Sequence, residues 1–174
     1  MFFVLLSLFL QVAGNGQQPD YDLRSLRWGM TSKEVQAAEP RGRSIKTDST
    51  LQYRRRFFNT FPVSIKFTFV KDQLAGAQYI FTERHVRAQQ HWEDYEAVAA
   101  ILKERYGPPS GDYSTWNSPL YQQRPDRFGD AVLLGHLIRS TVWETPRTII
   151  TLEMSGKPTE GIYTVMTYAK KSDI

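Results

Sequence analysis

The chain has 174 residues, a formal net charge of +4 and no cysteine, with 13% aromatic and 23% charged residues. That composition excludes a disulfide-stapled scaffold, a cysteine-acylated lipoprotein and a disordered or low-complexity chain. A pI near 9.3 favours encounters with anionic surfaces, although a charge this small is also what ordinary solubility requires.

Met1 to Gly14 carries no charged side chain and is almost wholly apolar. The run is too short for the roughly 20 residues of a spanning helix, and it closes on the small residues Val12-Ala13-Gly14. It therefore reads as a secretory signal over residues 1–14, with a polar, flexible lead-in over 15–22. The expected location is outside the cytoplasm, periplasmic or secreted, with no transmembrane span in the mature form. Without disulfides, such a fold is held by burial alone.

A single α+β domain is expected over 23–170, followed by a short tail at 171–174. Thr31 is a good N-cap, with Glu34 three positions on to reach back to the cap amide and Met30 and Val35 placed to form a hydrophobic staple. Pro40 stops this helix after about two turns by disfavouring helical geometry in the residue before it. Three strands follow. Leu51, Tyr53, Arg55 and Phe57 alternate with Gln52, Arg54, Arg56 and Phe58, and Val63, Ile65, Phe67 and Phe69 alternate with Ser64, Lys66 and Thr68. Lys71-Asp72-Gln73 turns the chain into Leu74–Thr82, where Gly76 marks a bulge or a close approach.

Trp92, Tyr95, Ala99, Leu102 and Tyr106 recur at helical spacing, which predicts a helix over 88–106. Gly107-Pro108-Pro109 ends it. Residues 110–127 read as a long polar loop that holds Tyr113, Trp116 and Tyr121. Residues 129–136 fit a short helix or a strand equally well. Leu137–Trp143 and Thr148–Met154 pair through Thr145-Pro146-Arg147, and Ile162–Ala169 is the last strand. The sum is an antiparallel sheet of about six strands. A short N-terminal helix and one longer helix pack on one face, an order that hints at two degenerate helix-plus-meander halves.

Leu26-Arg27-Trp28-Gly29-Met30-Thr31-Ser32-Lys33-Glu34-Val35 resembles the opening of a family of small, uncharacterised exported bacterial proteins with a Trp-Gly-Met-Ser/Thr turn before a short helix. The resemblance continues in Leu74–Phe81, Lys103–Pro109 and Trp143-Glu144-Thr145. All of these are packing or turn motifs. More loosely, Gly29-Met30-Thr31 with Val35 is similar to the start of the helix in the small lipoprotein of the outer-membrane β-barrel assembly machine. That likeness implies helices on an antiparallel sheet and a protein-binding role.

Few residues suggest chemistry. His85 and His91, with Glu83 and Glu93 nearby, could belong to a metal site, but neither they nor His136 show the close spacing of zinc motifs. No Gly-x-Ser-x-Gly elbow and no phosphate loop occur, and the pairs Glu93–Asp94 and Asp126–Asp130 fall on expected solvent faces or loops. In Arg54-Arg55-Arg56, strand geometry puts Arg54 and Arg56 on one side, a candidate grip for lipid headgroup phosphates or a charged guard for a sheet edge. An exported address argues against nucleic acid. Tyr113, Trp116 and Tyr121 in a polar loop are candidates for partner contact. The expected function is a non-catalytic, cofactor-free binding or assembly module of the cell envelope that meets a protein or glycan. The alternative is a small hydrolase or metal-dependent enzyme built on His85 and His91 with nearby acids.

Overall fold

The computed structural model describes residues 22–39 and 42–171. The expected signal at 1–14, the lead-in up to residue 21 and the tail from 172 lie outside the described residues. Asp22, the last residue of that lead-in, is fixed: its carboxylate accepts the Trp28 amide at 2.8 Å and pairs with Arg147 Nε at 2.8 Å.

The first helix, α1 (Ser32–Ala38), starts as its cap demands. The Thr31 amide donates to Glu34 Oε2 at 2.7 Å, and the Glu34 amide donates to Thr31 Oγ1 at 3.3 Å. The Thr31 backbone bond holds the Glu34 carboxyl below the usual carboxylate range. Glu39, before Pro40, is already extended. The Trp-Gly-Met turn also ties two strands together. Gly29 and Met30 exchange backbone hydrogen bonds with Leu74, and Trp28 Nε1 donates to Thr148 Oγ1 at 2.9 Å.

Eight strands form one antiparallel sheet: β1 (Ser44–Lys46), β2 (Thr50–Phe58), β3 (Phe61–Val70), β4 (Gln73–Phe81), β5 (Gly111–Trp116), β6 (Leu137–Glu144), β7 (Thr148–Lys157) and β8 (Gly161–Lys170). Their spatial order is β1-β2-β3-β4-β8-β7-β6-β5. The first half is a helix followed by the meander β1–β4; the second is a helix followed by β5–β8 with a further short helix between β5 and β6, and the final strands β4 and β8 meet at the centre. The count of about six is corrected by two edge strands, β1 and β5. Neither edge strand has an alternating apolar pattern, because an edge strand need bury little.

Register explains the two faces. Ser44, Tyr53, Ile65, Tyr79, Met166, Leu152, Thr141 and Asp112 stand opposite one another in turn across all eight strands. The six between the edge strands are buried. One residue along, Ile45, Gln52, Lys66, Gln78, Thr167, Thr151, Val142 and Gly111 form a parallel row with no buried member. The helices cover the first face and leave the second open, as the period-two pattern requires.

The second helix, α2 (Ala88–Tyr106), buries Tyr95, Val98 and Leu102. The Tyr95 hydroxyl lies 2.8 Å from Thr141 Oγ1 and donates to the Leu152 carbonyl at 3.1 Å. Gly107, at φ 82°, takes the left-handed turn that ends the helix. The ambiguous 129–136 stretch resolves into a third helix, α3 (Phe128–Leu133), preceded by a 3-10 turn at Pro125–Arg127. It sits so close to the start of α2 that a side chain at Gly129 would collide with the Ala88 carbonyl. Among the described residues, no helix is long and apolar enough to cross a membrane.

The expected 110–127 loop is corrected as well, since its first third is strand β5. Alternation then separates its aromatic residues. Trp116 stands opposite Leu137 on the covered face and meets Phe128 edge-on at 5.4 Å, while Tyr113 is on the open face and 58% exposed. Tyr121, at φ 70°, packs against the core with the Arg127 guanidinium over its ring.

Candidate functional site

A cleft of about 860 Å³ opens on the helix-bearing side, over the seam between the two halves. Its floor is Tyr79 on β4 and Tyr168 on β8, whose rings are 5.6 Å apart and tilted by 52°. Three turns and a helix end make the walls. These are the 22–24 segment, the β2–β3 turn with Phe57, Phe58 and Asn59, the β6–β7 turn with Thr145, Pro146 and Arg147, and Arg105 and Tyr106 at the end of α2.

Each wall brings its charge for a local reason. Arg24 occupies a tight turn closed by the Leu26 amide on the Leu23 carbonyl at 2.8 Å, and it takes φ 55° there. Its Nη1 lies 3.7 Å from Oε2 of Glu39, whose side chain is almost inaccessible. That oxygen is buried and accepts no hydrogen bond among the described residues, and burial pushes the Glu39 carboxyl above its ordinary range against the pull of Arg24. Arg147 is held through Nε by Asp22, with half of its side chain exposed. Arg105 leans over the Phe58 ring at 5.6 Å. Behind them, the Tyr106 and Tyr168 hydroxyls are 3.4 Å apart. Burial raises the Tyr79 and Tyr168 phenols well above their usual range, so both stay neutral.

The lining therefore carries three guanidinium groups against one carboxylate, Asp22, among aromatic rings. It contains no histidine, and Asp22 is already engaged by Trp28 and Arg147. General acid–base chemistry needs a group free to exchange a proton with a ligand. Three guanidinium groups beside aromatic rings can hold an anionic group.

The residues singled out in the sequence do not converge here. Arg54 and Arg56 were expected on one side of a strand, and a bulge corrects this. Tyr53 stands opposite Ile65 and Arg56 opposite Val63, so two residues, Arg54 and Arg55, face a single partner position. Arg55 takes φ 54° at the bulge, Arg54 stays exposed, and Arg56 turns to the covered face 4.8 Å over the Tyr53 ring. An extra residue inverts the alternation beyond it. Tyr113 and Trp116 lie on the opposite edge of the sheet from these arginines.

The histidines fare differently. His85 Nε2 lies 2.6 Å from Asp94 Oδ2, and the His85 amide donates to His91 Nε2 at 3.4 Å, with the rings edge-on at 4.8 Å. Asp94, expected to face solvent, is instead His85's partner. Burial, reinforced by the neighbouring His85, lowers the pKa of His91. The pair borders a second pocket of about 390 Å³ with Phe81, Ile162 and Tyr163. Among the described residues, no group of three or more His, Asp or Glu side chains is placed to hold a metal ion.

Arg24, Arg105, Arg147, Tyr79, Tyr106 and Tyr168 were not recognised as a site from sequence. They are scattered over most of the chain, and Tyr79 and Tyr106 carry the period of core residues. No family model matches the chain, and no curated protein or solved structure matches it either.

Proposed function

We propose that the protein is an exported, non-catalytic binding module of the cell envelope, periplasmic or secreted, that receives part of a protein or glycan partner in the arginine–tyrosine cleft. The observation that carries this reading is the cleft itself. Its volume of about 860 Å³ falls within the ~300–1,000 Å³ of small-ligand sites, and its cationic, aromatic lining holds no proton-exchanging pair. The apolar Met1–Gly14 run and the resemblance of Trp28-Gly29-Met30-Thr31 to small exported bacterial proteins support the address. Tyr113 and Arg54, both exposed, offer secondary contacts beyond the cleft, anionic lipid headgroups among them.

Fractionation of cells carrying the full chain, with the N-terminus read by mass spectrometry, tests the address. The expected product lacks residues 1–14 and is found in the periplasm or medium; intact Met1 in the cytoplasm would overturn it. Crosslinking to envelope extract should fall when Arg105→Glu and Arg147→Glu are combined in a protein that still melts cooperatively. A second reading is favoured by the 2.6 Å contact between His85 and Asp94, which suits an acid-oriented histidine in a small hydrolase or metal-dependent enzyme. Ester hydrolysis abolished by His85→Gln, or a melt sensitive to chelator, would establish that reading over the first.

A further inference from the structure

We propose that the cleft is a phosphate-ester site, with Arg24, Arg105 and Arg147 gripping the phosphate while Phe57, Tyr106 and Pro146 cover the ring or apolar body that bears it. The inference rests on reading the cleft as the ligand site and specifies what enters it.

Three guanidinium groups from three separate walls line one opening, and Asp22 is the one carboxylate among them. A carboxylate ligand is satisfied by a single bidentate arginine fork, whereas a phosphate offers more oxygens than one fork can fill. Three such groups around one cleft therefore fit phosphate better.

Arg24 is the most informative of the three. Its φ of 55° belongs to the left-handed region, which residues other than glycine, asparagine and aspartate seldom enter, and such outliers gather at ligand clamps. The turn aims its side chain at a buried carboxylate that it does not hydrogen-bond, since 3.7 Å from Glu39 Oε2 is an ion-pair distance only. The guanidinium also hydrogen-bonds the Tyr79 hydroxyl at the cleft floor, so a phosphate oxygen would compete with the long Glu39 pairing alone. Arg147 is anchored at Nε by Asp22, which orients its fork. Arg105 carries its guanidinium over the Phe58 ring at 5.6 Å, and the residue stays exposed at the rim of the cleft. Behind them the Tyr106 and Tyr168 hydroxyls, 3.4 Å apart, add neutral hydrogen-bonding groups at the floor.

The test is a calorimetric titration of the purified full chain with phenyl phosphate, phenol and inorganic phosphate. Phenyl phosphate should bind at least about tenfold more tightly than either fragment, because charge-assisted hydrogen bonds and ring burial are combined only in it. Arg24→Gln with Arg105→Gln should weaken it by about tenfold or more, while Lys66→Gln, on the open face, should leave it unchanged. Unaltered thermal melts of the variants establish that the fold is intact. Co-sedimentation with vesicles of phosphatidylglycerol in phosphatidylcholine, against pure phosphatidylcholine, then identifies the source. Phosphatidylglycerol-dependent sedimentation relieved by phenyl phosphate assigns a lipid headgroup, and its absence assigns a soluble phosphate ester.

Equal binding of phenol and phenyl phosphate, or a folded double variant that binds as wild type does, would overturn the proposal. Because the titration uses purified protein, a cytoplasmic location would defeat the envelope reading and leave this one standing. Envelope crosslinking without phosphate selectivity would do the reverse.

Discussion

Replacing Trp116 by alanine separates a structural ring from a binding ring. Trp116 is half-buried on the covered face of β5 and meets Phe128 at 5.4 Å; Phe128 in turn meets Trp92 at 5.0 Å, and Trp92 stacks on Tyr95. The ladder joins β5 to α3 and α2. A fully buried Trp→Ala change costs about 3–5 kcal/mol, so a half-buried ring should cost about 2 kcal/mol. Losing its edge-on partner adds about 0.5–1.5 kcal/mol. For a domain of this size, a total of ~3 kcal/mol corresponds to a fall in Tm of about 6–12 °C. Tyr113→Ala, three positions away and on the open face of the same strand, should move Tm by less than about 2 °C, as surface changes do. Circular-dichroism melts of the two variants beside wild type decide the matter. Equal, small shifts would show that Trp116 contributes little to packing and would return it to the partner surface with Tyr113.

Tyr95→Phe removes the hydroxyl bonded to Thr141 and Leu152, in a residue whose phenol burial pushes to about 12; urea unfolding should register a loss of about 1–2 kcal/mol, and an unchanged midpoint would contradict the bonding. Glu39 titrates above its ordinary 4.5, so the folded state holds its proton more tightly than the unfolded chain does, and stability falls as pH rises from about that value through the raised pKa. Glu39→Gln should therefore match wild type near pH 4 and exceed it at pH 7–8 in urea midpoints; a variant weaker at neutral pH would mean that the Arg24 pairing outweighs burial. His91 has the opposite sense. Its folded pKa lies below 6.5, so its contribution is complete above that value and is lost as pH falls through the lowered one. Burial and His85 lower it, with a smaller push from Arg84, while Asp94 and Glu83 oppose them. His91→Gln should flatten the decline in Tm between about pH 7 and pH 5, and an unchanged slope would assign that decline elsewhere.

Much of the fold was legible from residues close together in the chain. Thr31 and Glu34 announce a helix start because both partners of the capping box lie within one turn. Trp92 to Tyr106 announces α2 because its spacing matches one helical face, and Lys71-Asp72 takes the positive φ of a tight hairpin at both residues, 51° and 58°. Strands β3 and β4, and β2 as far as Tyr53, show their alternation for the same reason; beyond the bulge it is Phe58, not Phe57, that is buried. Burial on one face imposes a period that the chain itself displays. What escaped this reading depends on partners distant in sequence. β5 is a strand because Leu137–Val142 lies beside it, with no apolar pattern of its own to mark it. The side on which Arg56 emerges follows from a bulge counted against β3, where a single extra residue reverses the face. The cleft belongs wholly to this second class. Arg24, Arg105 and Arg147 sit at turns and a helix end, where no periodicity constrains the residue type, and they become neighbours only when β4 and β8 pair and draw the two halves together. Local geometry repeats along the chain and so leaves a pattern in it, whereas a site assembled across a sheet seam leaves none.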